Sequence, residues 1–178
     1  SWTDVKGVLR SFYTTTRCVP TIRIGGISDG GYCVPSSLED LEAFFSPGYG
    51  NLKLFEDELA NRNISSYICD GRFAEIKDLK ENQFFTPKNL ASFDDEESFT
   101  LQTWVSSCDE ISTQTFGLQM DIEGAEYEVL KSTTSEFLKC FKIMLIEFHD
   151  LDSILVSKGS LEEKKHVIEK ILLTHDLV

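Results

Sequence analysis

The sequence has no apolar run near the roughly 20 residues that a bilayer-spanning helix requires, so it offers no membrane span. Its opening, SWTDVKGVLRSFYTTTR, is mixed and polar and lacks the apolar centre of a signal peptide. Location is left open by this. No two of the five cysteines (Cys18, Cys33, Cys69, Cys108 and Cys140) stand at C-x-x-C spacing, which argues against a thiolate zinc site. Cys18 and Cys33 flank a glycine-rich segment and could pair in an exported protein, and Asn63 begins an N-x-[ST] triplet. Basic residues are scarce: 17 Lys and Arg stand against 30 Asp and Glu, a net charge of −13. That balance argues against a broad basic face for a nucleic-acid backbone. Neither G-x-G-x-x-G nor G-x-x-x-x-G-K-[ST] occurs, which disfavours a dinucleotide and a P-loop. Internal repeats and low-complexity linkers are absent too. The chain reads as one domain over 1–178, with an N-terminal helix and glycine-rich hairpin in 1–35 and an α/β core in 36–178.

Hydrophobic residues make up 41% of the chain and include thirteen Phe, so a sizeable aromatic core is available. Trp2, Val5, Val8, Leu9 and Phe12 recur at helical spacing and predict a helix over 1–16. TIRIGGISDGGYCVP (21–35) reads as a hairpin, either a plain surface element or one whose glycines let backbone approach a ligand. Beyond it, strands are expected at 41–50, 64–71, 83–91, from 116, and at 142–150. Helices are expected at 51–63, at 98–108, after the strand that opens at 116, and at 160–174. Residues 72–82 fit a short helix or a loop. Ser160 with Glu163 reads as a capping box for the last helix. This alternation predicts an α/β fold with a mostly parallel sheet covered by helices on both faces.

In open sheets of this kind, ligands bind beyond the carboxyl ends of the strands. The first expected strand delivers Ser46-Pro47-Gly48-Tyr49-Gly50, and the second Asp70-Gly71. The fourth delivers Asp121, Glu123 and Gly124, and the fifth Glu147, His149 and Asp150. A glycine turn followed by an acid at the end of the next strand suits a nucleoside cofactor, because the acid can accept both ribose hydroxyls. Dinucleotides and S-adenosylmethionine share that logic, and the missing third glycine disfavours the former.

LQMDIEGAEYEVL followed by IMLIEFHDLD resembles the FkbM family of S-adenosylmethionine-dependent methyltransferases. RIGGISDGGYCVP and FFSPGYGNLKLFEDELA are similar to upstream blocks of a eukaryote-type branch of that family, so the resemblance spans about residues 20–175. It implies a class I, Rossmann-like methyltransferase fold and methyl transfer, most often to a hydroxyl oxygen of a small molecule or glycan. It also implies that Gly48 and Gly50 line the cofactor loop, that Glu56 lies near it, and that Asp70 with Gly71 meets the ribose. Asp121, Glu123 and Glu126 would form the acidic block after the fourth strand, with His149 at the end of the fifth. Two departures stand out. The first loop lacks its usual acid, a place Asp29 could fill, and no segment is evident for the final antiparallel hairpin strand.

For methyl transfer to a hydroxyl, His149 is the expected base by its ordinary pKa, with Asp121 the runner-up. Asp121 could instead hold a divalent cation, but two carboxylates without fixed geometry establish no metal site. Glu126 also fits a plain first-turn helix acid favoured by the helix dipole. The alternative to an enzyme is a methyltransferase-like module that has lost catalysis and serves in binding or as a scaffold.

Overall fold

The computed structural model describes residues 2–14, 17–28, 30–108 and 115–178. In chain order it contains α1 (Trp2–Tyr13), β1 (Thr21–Ile24), β2 (Tyr32–Pro35), β3 (Ala43–Pro47), α2 (Leu54–Asn61), β4 (Ser65–Cys69), β5 (Gln83–Thr86), β6 (Asn89–Leu90) and β7 (Ser98–Phe99). There follow α3 (Leu101–Ser106), β8 (Phe116–Met120), α4 (Glu126–Ser132), α5 (Ser135–Leu138), β9 (Phe141–Ile146), a 3-10 turn (Leu151–Leu155) and α6 (Lys158–Leu172).

Five strands form one sheet in the order β5-β4-β3-β8-β9, every neighbouring pair parallel. The central strands β3 (AFFSP) and β8 (FGLQM) are buried at every position, as expected when both faces of a sheet are covered. Alternation assigns the faces. Phe45 packs with Trp104, Phe116, Leu130, Leu138, Phe141 and Val167, which brings α3 to α6 onto one side. Phe44 packs with Phe55, Leu59, Ile24 and Val34, which brings α2 and the β1–β2 hairpin onto the other. Gly117, opposite Phe44 in the register, leaves the room that the Phe44 ring occupies. This is the Rossmann-like α/β arrangement read from the sequence.

A third apolar cluster joins α1 to α6 and the 3-10 turn through Val5, Val8, Ile154, Leu161 and Ile168. The turns of the β1–β2 hairpin are close-packed: Gly25 and Gly31 lie against the backbones of Gly30 and Gly26. Glu58 of α2 accepts from Gly25 N at 3.0 Å and ties the hairpin to the sheet layer.

Several boundaries differ from the sequence reading. The strand expected over 83–91 is two strands, because Pro87 cannot donate to a ladder. Ser98-Phe99, expected within a helix, instead forms β7 and pairs with β6. The helix that follows starts later, capped by Thr100, whose Oγ1 accepts from Thr103 N at 3.2 Å. Residues 72–82 are loop. The last helix is capped by Ser157, not Ser160, with Ser157 Oγ accepting from Ser160 N at 3.2 Å. The last strand ends at Ile146, so His149 stands beyond it in irregular chain. Cys18 and Cys33 are both free and exposed, so the open disulfide reading is not met. Among the described residues no helix is long and apolar enough to cross a membrane.

Candidate functional site

The chain runs outward from β3 through β4 to β5, then returns to build β8 and β9 on the other side of β3. The carboxyl ends of β3 and β8 therefore flank the switch point where open α/β sheets bind ligands. Two clefts meet there, sharing Gly48. One, of about 250 Å³, is lined by Gly48, Asp70, Arg72, Asn89, Ile122 and Glu123. The other, of about 70 Å³, is lined by Gly30, Tyr49, Gly50, Glu56, Gln119 and Asp121 among others. Gly48, Gly50, Glu56, Asp70, Asp121 and Glu123 are thus brought to a common rim. Asp29 lies outside the described residues.

The glycines play different parts. Gly48 has φ +92°, and a Cβ there would run into the carbonyl oxygen of Asp121. It allows two backbone segments to touch rather than leaving room for a ligand. Gly50, at φ +58°, has open space where its side chain would be. Gly71 is set against Asn89, whose Oδ1 accepts from Gly71 N at 3.0 Å.

Asp70 ends β4 and is nearly buried. Its Oδ2 accepts from Tyr49 N at 3.1 Å, which fixes the glycine loop after β3. Its Oδ1 accepts from Arg72 N at 2.9 Å. The Arg72 guanidinium donates to both oxygens, Nε to Oδ1 at 3.0 Å and Nη2 to Oδ2 at 2.7 Å. Burial works to raise the Asp70 carboxyl, but the Arg72 bonds and charge outweigh it and hold it below the ordinary carboxylate value. Glu56, on the buried side of α2, is pushed the other way: burial raises its pKa.

The loop between β8 and α4 builds the second half of the rim. Glu126 opens α4 and is wholly buried. Its Oε1 accepts from Ile122 N and Gly124 N, both at 3.1 Å, folding the loop back on the helix start. The same oxygen lies 3.0 Å from Nδ1 of His149. His149 Nε2 then faces Asp121 Oδ1 at 3.7 Å and Glu123 Oε2 at 3.6 Å. Burial alone would lower the imidazole, but the Glu126 hydrogen bond and the charges of Glu126, Asp121 and Glu123 raise its pKa. Asp121 is raised by burial and by the charge of Glu147. Asp121, Glu123 and His149 each offer one ligand atom, all within 4.8 Å of one another, so this donor set could hold a metal.

Arg72 escaped the sequence reading: it was passed over as part of an unassigned loop, although it follows Asp70-Gly71 directly. Glu126 stood in the acidic block that the resemblance implies but also fitted a plain first-turn acid, so its reach to His149 was not foreseen. Its spacing to Val129 and Leu130 was the signal, since i, i+3 and i+4 share a helix face and those two face the core.

A family model described as "Methyltransferase FkbM domain" matches residues 46–170, a span that takes in every rim residue from Gly48 to His149. Comparisons with curated proteins and with solved structures give no match. The matched span covers more than half of the chain and coincides with the parallel sheet and its rim, so the protein belongs to the FkbM family of methyltransferases.

Proposed function

We propose that the protein transfers a methyl group from S-adenosylmethionine to the oxygen of a hydroxyl on a small molecule or glycan. The carrying observation is the joint between Asp70 and the glycine loop: Asp70 Oδ2 holds Tyr49 N at 3.1 Å, so a ribose-binding acid and the open Gly50 position form one unit. That unit suits a nucleoside. Asp70 would hold the ribose hydroxyls, with Gly50 and Tyr49 alongside, and Glu56 lies in the adjoining cleft with Gly50. When bound, the sulfonium would supply a methyl carbon open to attack by a nucleophile, with the neutral thioether as the leaving group.

The chain's own residues then have three tasks. The rim must align an acceptor oxygen with the donor, which is where most of the acceleration of such a transfer can arise. His149 must take the acceptor's proton at Nε2, because Nδ1 is engaged by Glu126. Asp121 and Glu123 hold the imidazolium that results, at 3.7 and 3.6 Å from Nε2.

A second reading is favoured by one observation. Arg72 already fills both oxygens of Asp70. A scaffold module with no cofactor would keep that pair permanently. Titration calorimetry with S-adenosylmethionine separates the two. The enzyme reading expects saturable heat, weakened in Asp70→Ala by about 1.5–3 kcal/mol, the range for hydrogen bonds to a charged group. Absence of heat in the parent protein supports the scaffold.

A further inference from the structure

We infer that Asp121, Glu123 and His149 form a divalent-cation site at the β8–β9 rim, with Glu126 as the buried carboxylate that orients the histidine ligand. The site is independent of the methyl-transfer reading, since cation binding can be read on the protein alone.

The separations are the first argument. Nε2 of His149 lies 3.7 Å from Asp121 Oδ1 and 3.6 Å from Glu123 Oε2. Both are too long for hydrogen bonds. Two ligands each about 2.1 Å from a shared ion stand roughly 3–4.2 Å apart, for angles from 90° to linear. Nε2 meets that range with each acid, and the three donor atoms lie within 4.8 Å of one another.

The tautomer is the second argument. Glu126 Oε1 already accepts from the amides of Ile122 and Gly124. An oxygen that takes two amide N–H groups is acting as an acceptor, so the 3.0 Å contact with His149 assigns the proton to Nδ1. In the neutral ring the lone pair then sits on Nε2 and points at the two other acids. A carboxylate behind a histidine that faces a cation is the usual outer-shell arrangement of metal sites.

Unmet oxygens are the third argument. Glu126 is wholly buried, is directed at the imidazole, and its Oε2 has no hydrogen-bond partner. Asp121 Oδ1, one of the three donor atoms, is likewise shielded from solvent and without a hydrogen-bond partner. Buried carboxylate oxygens left this way are costly unless a positive charge answers them. Two described cations close by have other partners, although the charge of Arg72 also acts on Asp121 and Glu123. Arg72 is bound to Asp70 through both oxygens. Lys164 is engaged with the Asp150 carbonyl and the Tyr127 ring. Glu147, at the end of β9, adds further negative charge.

One imidazole with two carboxylates and no thiolate suits a first-row divalent ion such as Mn²⁺ better than Ca²⁺, which takes oxygen ligands alone. Nε2 has a single lone pair, so ligating a cation and accepting a substrate proton exclude each other. A loaded site would make His149 a ligand and leave the base role to another group.

The test is a titration of MnCl₂ into chelator-treated protein, followed by calorimetry and by the ring signals of the three histidines. The expected result is one ion per chain and selective paramagnetic broadening of His149 over His166 and His175. Glu123→Gln, at an exposed position, and Asp121→Asn should each weaken binding at least tenfold, and Glu126→Gln by about 10–100-fold. No binding at millimolar Mn²⁺, or binding unchanged in both Glu123→Gln and His149→Gln, overturns the site. S-adenosylhomocysteine titrated into the same chelator-treated protein keeps the readings apart: nucleoside binding without Mn²⁺ binding overturns the cation site and leaves the methyltransferase reading standing.

Discussion

Arg72 and Asp70 are joined as a two-point pair, Nε to Oδ1 at 3.0 Å and Nη2 to Oδ2 at 2.7 Å, at the spot where a ribose would be held. The arginine side chain is largely exposed while the aspartate is nearly buried. A nucleoside that uses Asp70 must therefore displace a guanidinium that also meets the Phe73 ring and the charges of Glu123 and Asp121. Arg72→Ala is expected to tighten S-adenosylhomocysteine binding by about 1 kcal/mol, a fraction of what bonds to a charged group contribute. Calorimetry with the parent and the variant measures it. Weaker binding in the variant would mean that Arg72 contacts the ligand itself.

The hydrogen bond and charge of Glu126 favour protonation of His149 and raise its pKa. A histidine whose folded pKa is raised contributes stability that is fully present below its unfolded value, about 6.5, and is lost as pH climbs through the folded value. Glu126→Gln removes the largest raising influence. The His149 ring titration should shift to lower pH in the variant, and the stability lost as pH rises should be smaller and complete at lower pH. Chemical shifts across pH 5–9 read both His149 and the exposed His166 as an internal control.

Glu56 has the opposite sense for a carboxyl. Burial raises its folded pKa, so its ionisation weakens the fold as pH rises from the unfolded value, about 4.3, through the folded one. Below that window the penalty is absent. Glu56→Gln should raise the unfolding midpoint at pH 7, with the gain shrinking as pH falls toward 4. Urea denaturation at both ends of the window checks this. Equal midpoints at pH 7 would show that another group compensates the buried charge.

Gly117 leaves the volume that Phe44 fills. Gly117→Ala should destabilise the sheet by about 1–3 kcal/mol, the range for overpacking a well-filled core. Phe44→Leu in the same chain should recover part of that loss. A double-mutant cycle measures the coupling, and additive effects would place the strain elsewhere.

If His149 takes the acceptor's proton, His149→Ala should flatten the pH–rate profile near neutrality, and Asp121→Asn should lower turnover with the fold intact. A profile matching the parent would move the base role away from His149.

The fold was legible because its signals are redundant. Buried runs such as AFFSP and FGLQM are short, apolar and separated by helical periodicity, and the order of alternation leaves few topologies. The ends of elements were less legible. Ser157 and Ser160 are both good caps, and Glu163 three residues after Ser160 argued for the later start. The helix nevertheless begins at Lys158, a turn ahead of its buried stripe from Leu161 to Ile168. At the site, the sequence located Asp70 and Asp121 directly after their strands, because period and topology suffice for that, whereas His149 stands three residues past the end of its strand. It could not show that Arg72 covers Asp70 or that Glu126 reaches His149. Both relations depend on side-chain direction across a loop, and spacing carries no record of it.

The backbone crowding of Gly48 against the Asp121 carbonyl makes the Asp70 side and the His149 side of the rim neighbours through a single layer of main chain. With no side chain between them to absorb movement, a displacement of one loop is handed directly to the other. A ligand that moved one half of the cleft would therefore shift the other, so the two halves are built as one hinge plate rather than as separate compartments.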